Sequence, residues 1–404
     1  MSHDRESGPA HGRWTQVHEL EPIARPHPGS VLDEPLRIAV LAGGANSERN
    51  VSLSSGTAVT RALRGLGHAV AQVDSAAEPV VPDQDPAEAF LTAEVAQEEL
   101  SDRPDAPTAV PPPDLAALEQ VRQSQQDGVL ADGLLPILQA ADVVFVTVFG
   151  DEGESGATQR LLDRHGIVYT GPAAEVCELT FDKAATKRVL AGHGIATPAW
   201  HVVRRDHVEQ DLATVPMDGP WIVKPVAGGS TIGLSYVEDA RDLPDACVRA
   251  TAEGSDALIE EFVPGRDFTI GALGDRVFAV VEAITERELY DYEAKYTPGE
   301  SRKQVPAELS EEQTAELRRL TAEVHRLLHV GDASSRADFR LSRDGRFLFL
   351  ETNPLPGMTP TSSYPLSTRA DGIEFPQLCE ELVIRALRRA GRSTATQTHL
   401  EAPG

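Results

Sequence analysis

Between Arg336 and Asn353 the chain reads RADFRLSRDGRFLFLETN, two runs rich in hydrophobic residues on either side of Asp344-Gly345. That dipeptide favours a two-residue type I′ hairpin turn. The turn sets a register in which Arg343 faces Arg346, and counting outward puts Asp338 opposite Glu351 and Arg336 opposite Asn353. Cross-strand partners sit roughly 4.5–5.5 Å apart at Cβ, where two carboxylates repel unless something neutralises them. Asn353 shares the face of Glu351, because side chains alternate along a strand. Three oxygen donors beside one guanidinium suit a hard divalent cation that is also held by phosphate oxygens, the usual situation of Mg²⁺. The same pattern also describes a solvated hairpin face whose acids pair with Arg336 and Arg340. The hairpin alone does not choose between the two.

The 404 residues suffice for two or three domains with cores of their own. A net charge of −26 argues against a nucleic-acid partner, though a local basic pocket can still hold a nucleotide. Cys177, Cys247 and Cys379 are too widely spaced for a metal or disulfide pattern, which points to a reducing cytoplasm. No apolar run approaches a membrane span, and the N-terminus lacks signal-peptide order. Residues 1–33 are polar and rich in Pro, Gly and His, which predicts a disordered extension, and 393–404 reads as a tail.

Leu36 to Gly44 is a short apolar strand ending in glycines, followed by a helix over Ser52–Leu66 that Ser52 or Ser54 would cap. This strand–turn–helix opening predicts a doubly wound α/β domain over 34–177. A Pro-rich insertion interrupts it over 79–114. Ala141–Val148 resumes the sheet, a helix follows near Thr158–His165, and Ile167–Gly171 reads as a strand. Leu179–Gly192 is predicted as one helix carrying Lys183 and Lys187. Strands are expected at Ala199–Val203, Trp221–Pro225, Leu234–Val237, Ala257–Val263 and Phe268–Leu273. Helices are expected at Leu243–Ala252, Glu311–Leu328 and Pro376–Ala390. His325 and His329, one helical turn apart with no acid to complete a metal set, read as structural.

The loop Val226–Gly233 follows Lys224 at the end of a strand. Adjacent glycines with Ser230 and Thr231 let N–H groups and hydroxyls close over an anion, although no Walker sequence is present. An ordinary hairpin tip fits the same residues. Asp267, just beyond Pro264-Gly265, is placed either to hold ribose hydroxyls or simply to make a turn. Glu48 and Arg49 stand at the approach to a helix whose start offers N–H groups to a carboxylate, with Glu48 available to an ammonium. A capped helix with a solvated acid nearby is the simpler local reading of the same residues. Three tyrosines in Tyr290–Tyr296 suggest a flap that closes over a site.

In order, these segments resemble the D-alanine–D-alanine ligases of the ATP-grasp superfamily. The resemblance runs from Leu36 to about Arg389. It rests on Gly43-Gly44 through Glu48 to Ser52-Leu53 and Gly56, Gly153-Glu154 with Gly156 and Gln159, and Tyr169-Thr-Gly. Asp182-Lys183 and Val223-Lys-Pro with Gly229-Ser230 and Gly233 continue it. Tyr290–Tyr296, Arg336 with Asp338, Glu351-Thr-Asn353, and Pro356-Gly-Met-Thr359 with Ser362 complete it. The resemblance implies an ATP-grasp fold: a Rossmann-like N-terminal domain, a small central α+β subdomain over 178–257 and a C-terminal α+β subdomain over 258–392. It implies that Lys183, Lys224, Ser230, Thr231 and Lys295 bind ATP. Glu260, Glu261 and Val263 would form the adenine hinge, and Asp267 would hold the ribose. Asp338, Glu351 and Asn353 would ligate two Mg²⁺, with Mn²⁺ as a substitute. Glu48 would take the first amino acid's ammonium, linked to Ser230 and Tyr296, with Ser52 beside it. Gly357 and Ser362 would take the second amino acid's carboxylate, and Arg336 would stabilise the tetrahedral intermediate. A cytoplasmic homodimer serving cell-wall precursor synthesis follows from the same resemblance. The chain departs from the family where Phe149 replaces the usual histidine, where Gly228 replaces an acid, and at Ser363. An altered amino-acid ligase of a specialised metabolite pathway is the alternative those departures raise.

Overall fold

The computed structural model describes residues 30–77, 86–91, 118, 120–121, 123, 129–229, 233–252, 254–285 and 301–392. Residues 1–29 of the expected extension over 1–33, most of the insertion over 79–114, the tail over 393–404, and Ser230, Thr231, Lys295 and Tyr290–Tyr296 lie outside the described residues. The last four residues of the 1–33 stretch expected to be disordered are described. There the Ser30 hydroxyl and the Val31 N–H both donate to Glu380.

The first sheet is parallel, with β1 (Arg37–Ala42) between β2 (Ala69–Asp74) and β3 (Val143–Val146). Parallel neighbours need a crossover, and the helix Arg49–Gly65 supplies the one from β1 to β2. Both faces are covered, which is why these strands read as near-continuous apolar runs. Leu41, Val144 and Val146 pack on one face with Leu138 and Leu162. On the other, Ile38, Val40 and Phe145 meet Val59 and Leu63 and the C-terminal helix Phe375–Arg389. The last helix of the chain thus covers its first sheet.

A four-stranded antiparallel sheet follows, in the order β4 (Trp200–Val203), β7 (Ala257–Glu261), β5 (Trp221–Pro225), β6 (Ser235–Val237). Helix Leu243–Ala250 packs on it through Leu243, Ala246 and Cys247. A five-stranded antiparallel sheet then takes the order β10 (Ser301–Gln304), β9 (Arg276–Thr285), β8 (Gly265–Leu273), β11 (Ser334–Ser342), β12 (Phe347–Asn353). Helix Glu311–Leu327 covers it, started by a capping box between Ser310 and Gln313.

The structure corrects several expectations. The first helix begins at Arg49 and neither Ser52 nor Ser54 caps it. The Ser54 hydroxyl bonds back to the Asn50 carbonyl, and that of Ser52 is turned to other backbone. The single helix over Leu179–Gly192 is two, Ala174–Phe181 and Lys183–Gly192. They part at Asp182, whose backbone is extended, which bridges to Ala227, and whose side chain caps the second helix at the Ala185 N–H. The strand expected at Ile167–Gly171 shrinks to one bridge, Val144 to Tyr169. Several described elements had no expectation, among them the strands β2, β9 and β10 and the helices Leu134–Ala140, Val208–Leu212 and Ser363–Ala370.

Candidate active site

The β11–β12 hairpin places Asp338 opposite Glu351 and Arg336 opposite Asn353. The route to that register differs from the expected one. Ser342, not Arg343, pairs with Arg346, and the Gly345 N–H donates to the Ser342 carbonyl, so the turn holds one residue more. A bulge beside Asp338 and Phe339 then restores the register. Asp338 accepts from Nε and Nη2 of Arg336 at 3.0 and 2.9 Å and from the Thr269 hydroxyl. Asn353 Oδ1 is buried without a hydrogen-bond partner. An orphaned amide oxygen on the face of two carboxylates is a hard-donor set that fits a divalent cation. Among the described residues no group of three or more His, Cys, Asp and Glu forms a metal cluster. A cation here would therefore complete its shell with phosphate or water oxygens.

Lys183 lies over this face. Its Nζ is 3.8 Å from Glu351 Oε2 and donates to the Gly228 carbonyl, fastening the glycine loop to the first turn of its helix. Burial pushes its ammonium down, and Glu351 pulls the other way. In the β5–β7 register Ile222 pairs with Glu260 and Lys224 with Leu258, so Lys224 and Glu260 are diagonal neighbours on one face. Lys224 Nζ lies 2.8 Å from Glu260 Oε2, and Lys187 Nζ lies 2.6 Å from Oε1. Burial works against the Glu260 carboxylate, but the two ammonium groups outweigh it and hold its pKa below the usual range. The Glu260 side chain therefore belongs to the lysines, and only its backbone remains for a hinge. Lys187, assigned no role from sequence, is fully buried, and its pKa is pushed down to about 8, chiefly by burial.

Arg340 gathers the other end. It faces Asp267 across β8–β11 and pairs with it at 2.6 Å, and its Nε donates to the Val263 carbonyl at 2.8 Å. Its guanidinium also stacks 5.5 Å from the Phe262 ring centroid. Asp267 and Val263 are thus brought together by a residue that read only as hairpin surface. Glu261, the last residue of β7, is exposed, and its N–H donates to the Ala199 carbonyl.

Glu48 is buried at the start of helix Arg49–Gly65, its N–H bonded to Asn46 Oδ1. A Cβ on Gly150 would lie 3.1 Å from Glu48 Oε2, and one on Gly229 only 2.5 Å away. The glycine loop therefore closes directly over this carboxylate, and any side chain at Gly229 would collide with it. Asn46 also donates to the Phe149 carbonyl and to Glu152. Ser52 is fully buried and accepts from the Gly43 N–H and donates to the Thr147 carbonyl, both at 2.7 Å. It braces the glycine turn. A Cβ on Gly357 would sit 3.2 Å from Ser362 Oγ, while the Met358 N–H donates to Ser55. The Gly357–Ser362 loop is thereby docked on the helix that Glu48 begins.

One acid in this site was quoted for its motif and given no role. Glu154, 4% exposed, ends the short helix Asp151–Glu154. Its Oε2 accepts from the Gly150 N–H at 3.0 Å, and its Oε1 is buried without a partner. Burial first, and the Glu48 charge second, push its carboxyl up to about 8. The helix is held by close approach. A Cβ on Gly153 would lie 1.8 Å from the Val148 carbonyl, and Gln159 bonds the Gly153 carbonyl. Phe149, in the family's histidine position, is buried in the cluster of Val148, Tyr169 and Leu355.

Two family models match the chain, "D-ala D-ala ligase N-terminus" over residues 37–172 and "D-ala D-ala ligase C-terminus" over 189–384. A D-alanine–D-alanine ligase of Pediococcus pentosaceus is 34% identical over 353 residues, covering 86% of this chain and 97% of its own. One from Gluconobacter oxydans is also 34% identical, covering 88% of this chain and all of its own. The chain belongs to the D-alanine–D-alanine ligase family. Among solved structures the VanG D-Ala:D-Ser ligase from Enterococcus faecalis superposes with a TM-score of 0.65 at 22% identity, covering 87% of this chain and 100% of its own. A D-alanine–D-alanine ligase from Bacillus anthracis complexed with ATP does so with 0.62 at 21%, covering 89% and 99%. These two share the fold, an α/β ATP-grasp architecture. As a member of this ligase family the chain is an ATP-dependent, peptide-forming enzyme. No described helix is long and apolar enough to cross a membrane.

Proposed function

We propose that this ligase joins two D-alanines into D-alanyl-D-alanine for peptidoglycan precursor synthesis, through an acyl phosphate made at the expense of ATP. The observation that carries this reading is the meeting of Lys183 with both Glu351 on the hairpin face and the Gly228 carbonyl of the glycine loop. Lys183 and Lys224, with Ser230, Thr231 and Lys295, would neutralise the phosphates. Asp267 and the backbone of Glu260, Glu261 and Val263 would hold the nucleoside. Asp338, Glu351 and Asn353 would hold two Mg²⁺, or Mn²⁺ in their place, which spread the charge that builds on the transferring phosphoryl group. Glu48 would receive the ammonium of the first D-alanine, with Ser230 and Tyr296 beside it and Ser52 bracing the turn beneath. The carboxylate of that first D-alanine would take the γ-phosphoryl group. Gly357 and Ser362 would fix the second D-alanine by its carboxylate, and Arg336 would exchange Asp338 for the developing oxyanion. The working form would be a cytoplasmic homodimer, with only small molecules as substrates.

Phosphate release across pairs of D- and L-amino acids, with each product identified by mass spectrometry, tests this reading. D-Alanine alone should give the highest turnover and a single dipeptide; no turnover with D-alanine alone would overturn it.

A further inference from the structure

The second amino acid enters as an ammonium ion, which has no lone pair, so some group must take a proton before a C–N bond can form. Resting on the ligase reading above, we propose that Glu154 is that group, the general base for the incoming amine. Its geometry meets the need. One carboxyl oxygen is fixed by the Gly150 N–H, and the other is buried with no hydrogen-bond partner. The groups that act on it electrostatically are those of the reacting centre. Glu48 reaches it from the start of the first helix, Lys183 from the helix Lys183–Gly192, and Arg336 from β11. Cys177, from the helix Ala174–Phe181, also feels it. The neighbours on its own side are occupied, Glu152 with Asn46 and Ala45, and Arg160 with Ser155 and Glu178. With Arg336 at the developing oxyanion, the charges that act on Glu154 are the ones that would surround the attacking amine.

The step balances. The ammonium gives one proton to the Glu154 carboxylate, and the freed lone pair forms the C–N bond at the acyl phosphate carbonyl. When the adduct collapses, the bond from carbon to the phosphate oxygen breaks and its electron pair leaves with phosphate. Phosphate takes the second ammonium proton, and the third remains as the amide N–H. A carboxyl raised to about 8 is matched to an ammonium donor near neutral pH, where an ordinary carboxylate is too weak a base. Glu48 keeps a different task, since the ammonium it faces stays charged in the product.

Hydroxylamine, uncharged near neutral pH, attacks acyl phosphates without a base and traps them as hydroxamates. With the full chain, ATP and Mg²⁺, Glu154→Gln should lower dipeptide formation on the order of 100-fold while changing D-alanyl hydroxamate formation only slightly. In the unmodified protein the ratio of dipeptide to hydroxamate should rise with pH and level off above the Glu154 range. In the variant the ratio should be flat. Equal loss of both products in the variant, an unchanged dipeptide rate, or a pH-independent ratio in the unmodified protein would each overturn the role of Glu154. Absence of both products from the unmodified protein overturns the D-alanine reading itself, a distinguishable result.

Discussion

Lys187 has no exposed surface, and its ammonium holds Glu260 Oε1 while Lys224 holds Oε2. Removing one partner of a buried ion pair strands the other charge, at a cost of about 3–5 kcal/mol. Lys187→Met should therefore lower stability by about that amount, measured by urea denaturation, because Glu260 keeps only Lys224. The same change should raise KM for ATP several-fold with little effect on KM for D-alanine, since Glu260 would then compete harder with phosphate for Lys224. The sequence placed Lys187 on the right helix but could not show which way Glu260 turns. A strand residue beside a hinge motif reads as a ligand until the diagonal contact with Lys224 is seen. Arg340 escaped for a similar reason. Its partners Asp267 and Val263 lie 73 and 77 residues away along the chain, on another strand and its approach.

At the scale of the element, the β11–β12 hairpin shows how a correct pairing can be reached through two wrong steps. The turn carries an extra residue and the bulge beside Asp338 and Phe339 adds another on the opposite strand, so the two shifts cancel at Asp338 and Glu351. Only Asp-Gly and the alternation of apolar residues were legible. A bulge leaves no residue signature beyond pattern slippage, and here Phe347, Leu348 and Phe349 are all buried and hide it. Gly345 keeps φ at +84°, with no atom near the place a Cβ would occupy. Gly345→Ala therefore probes backbone strain alone. It should cost about 1 kcal/mol in a denaturant titration and leave kcat unaltered, because the bulge lies between the turn and the face of Asp338 and Glu351. A fall in kcat would mean that the turn, and not the bulge, sets the register at Asp338.

For the whole molecule, the α/β class and the positions of most strands and helices were legible from strand–turn–helix order and apolar patterning. The joins between sheets were not. Glu380, on the last helix, binds Ser30, Val31 and His68, a contact between chain ends that no local pattern announces. Burial raises the Glu380 pKa, but these bonds outweigh it and hold it below the ordinary 4.5, so its contribution is lost only as pH falls into the acid range. Glu154 and Glu381 act oppositely, because burial raises them to about 8 and about 7. Between the ordinary 4.5 and those values, the folded chain holds protons that the unfolded chain has released. Folding stability without ligands must then fall as pH rises through that window, by at most about 1.4 kcal/mol per pH unit from Glu154. Urea midpoints measured from about pH 5 to about pH 8 should decline for the parent and decline less for Glu154→Gln, which has no carboxyl to ionise. Parallel curves would mean that Glu154 keeps an ordinary pKa in the folded chain. It would then be too weak a base to take a proton from the incoming amine.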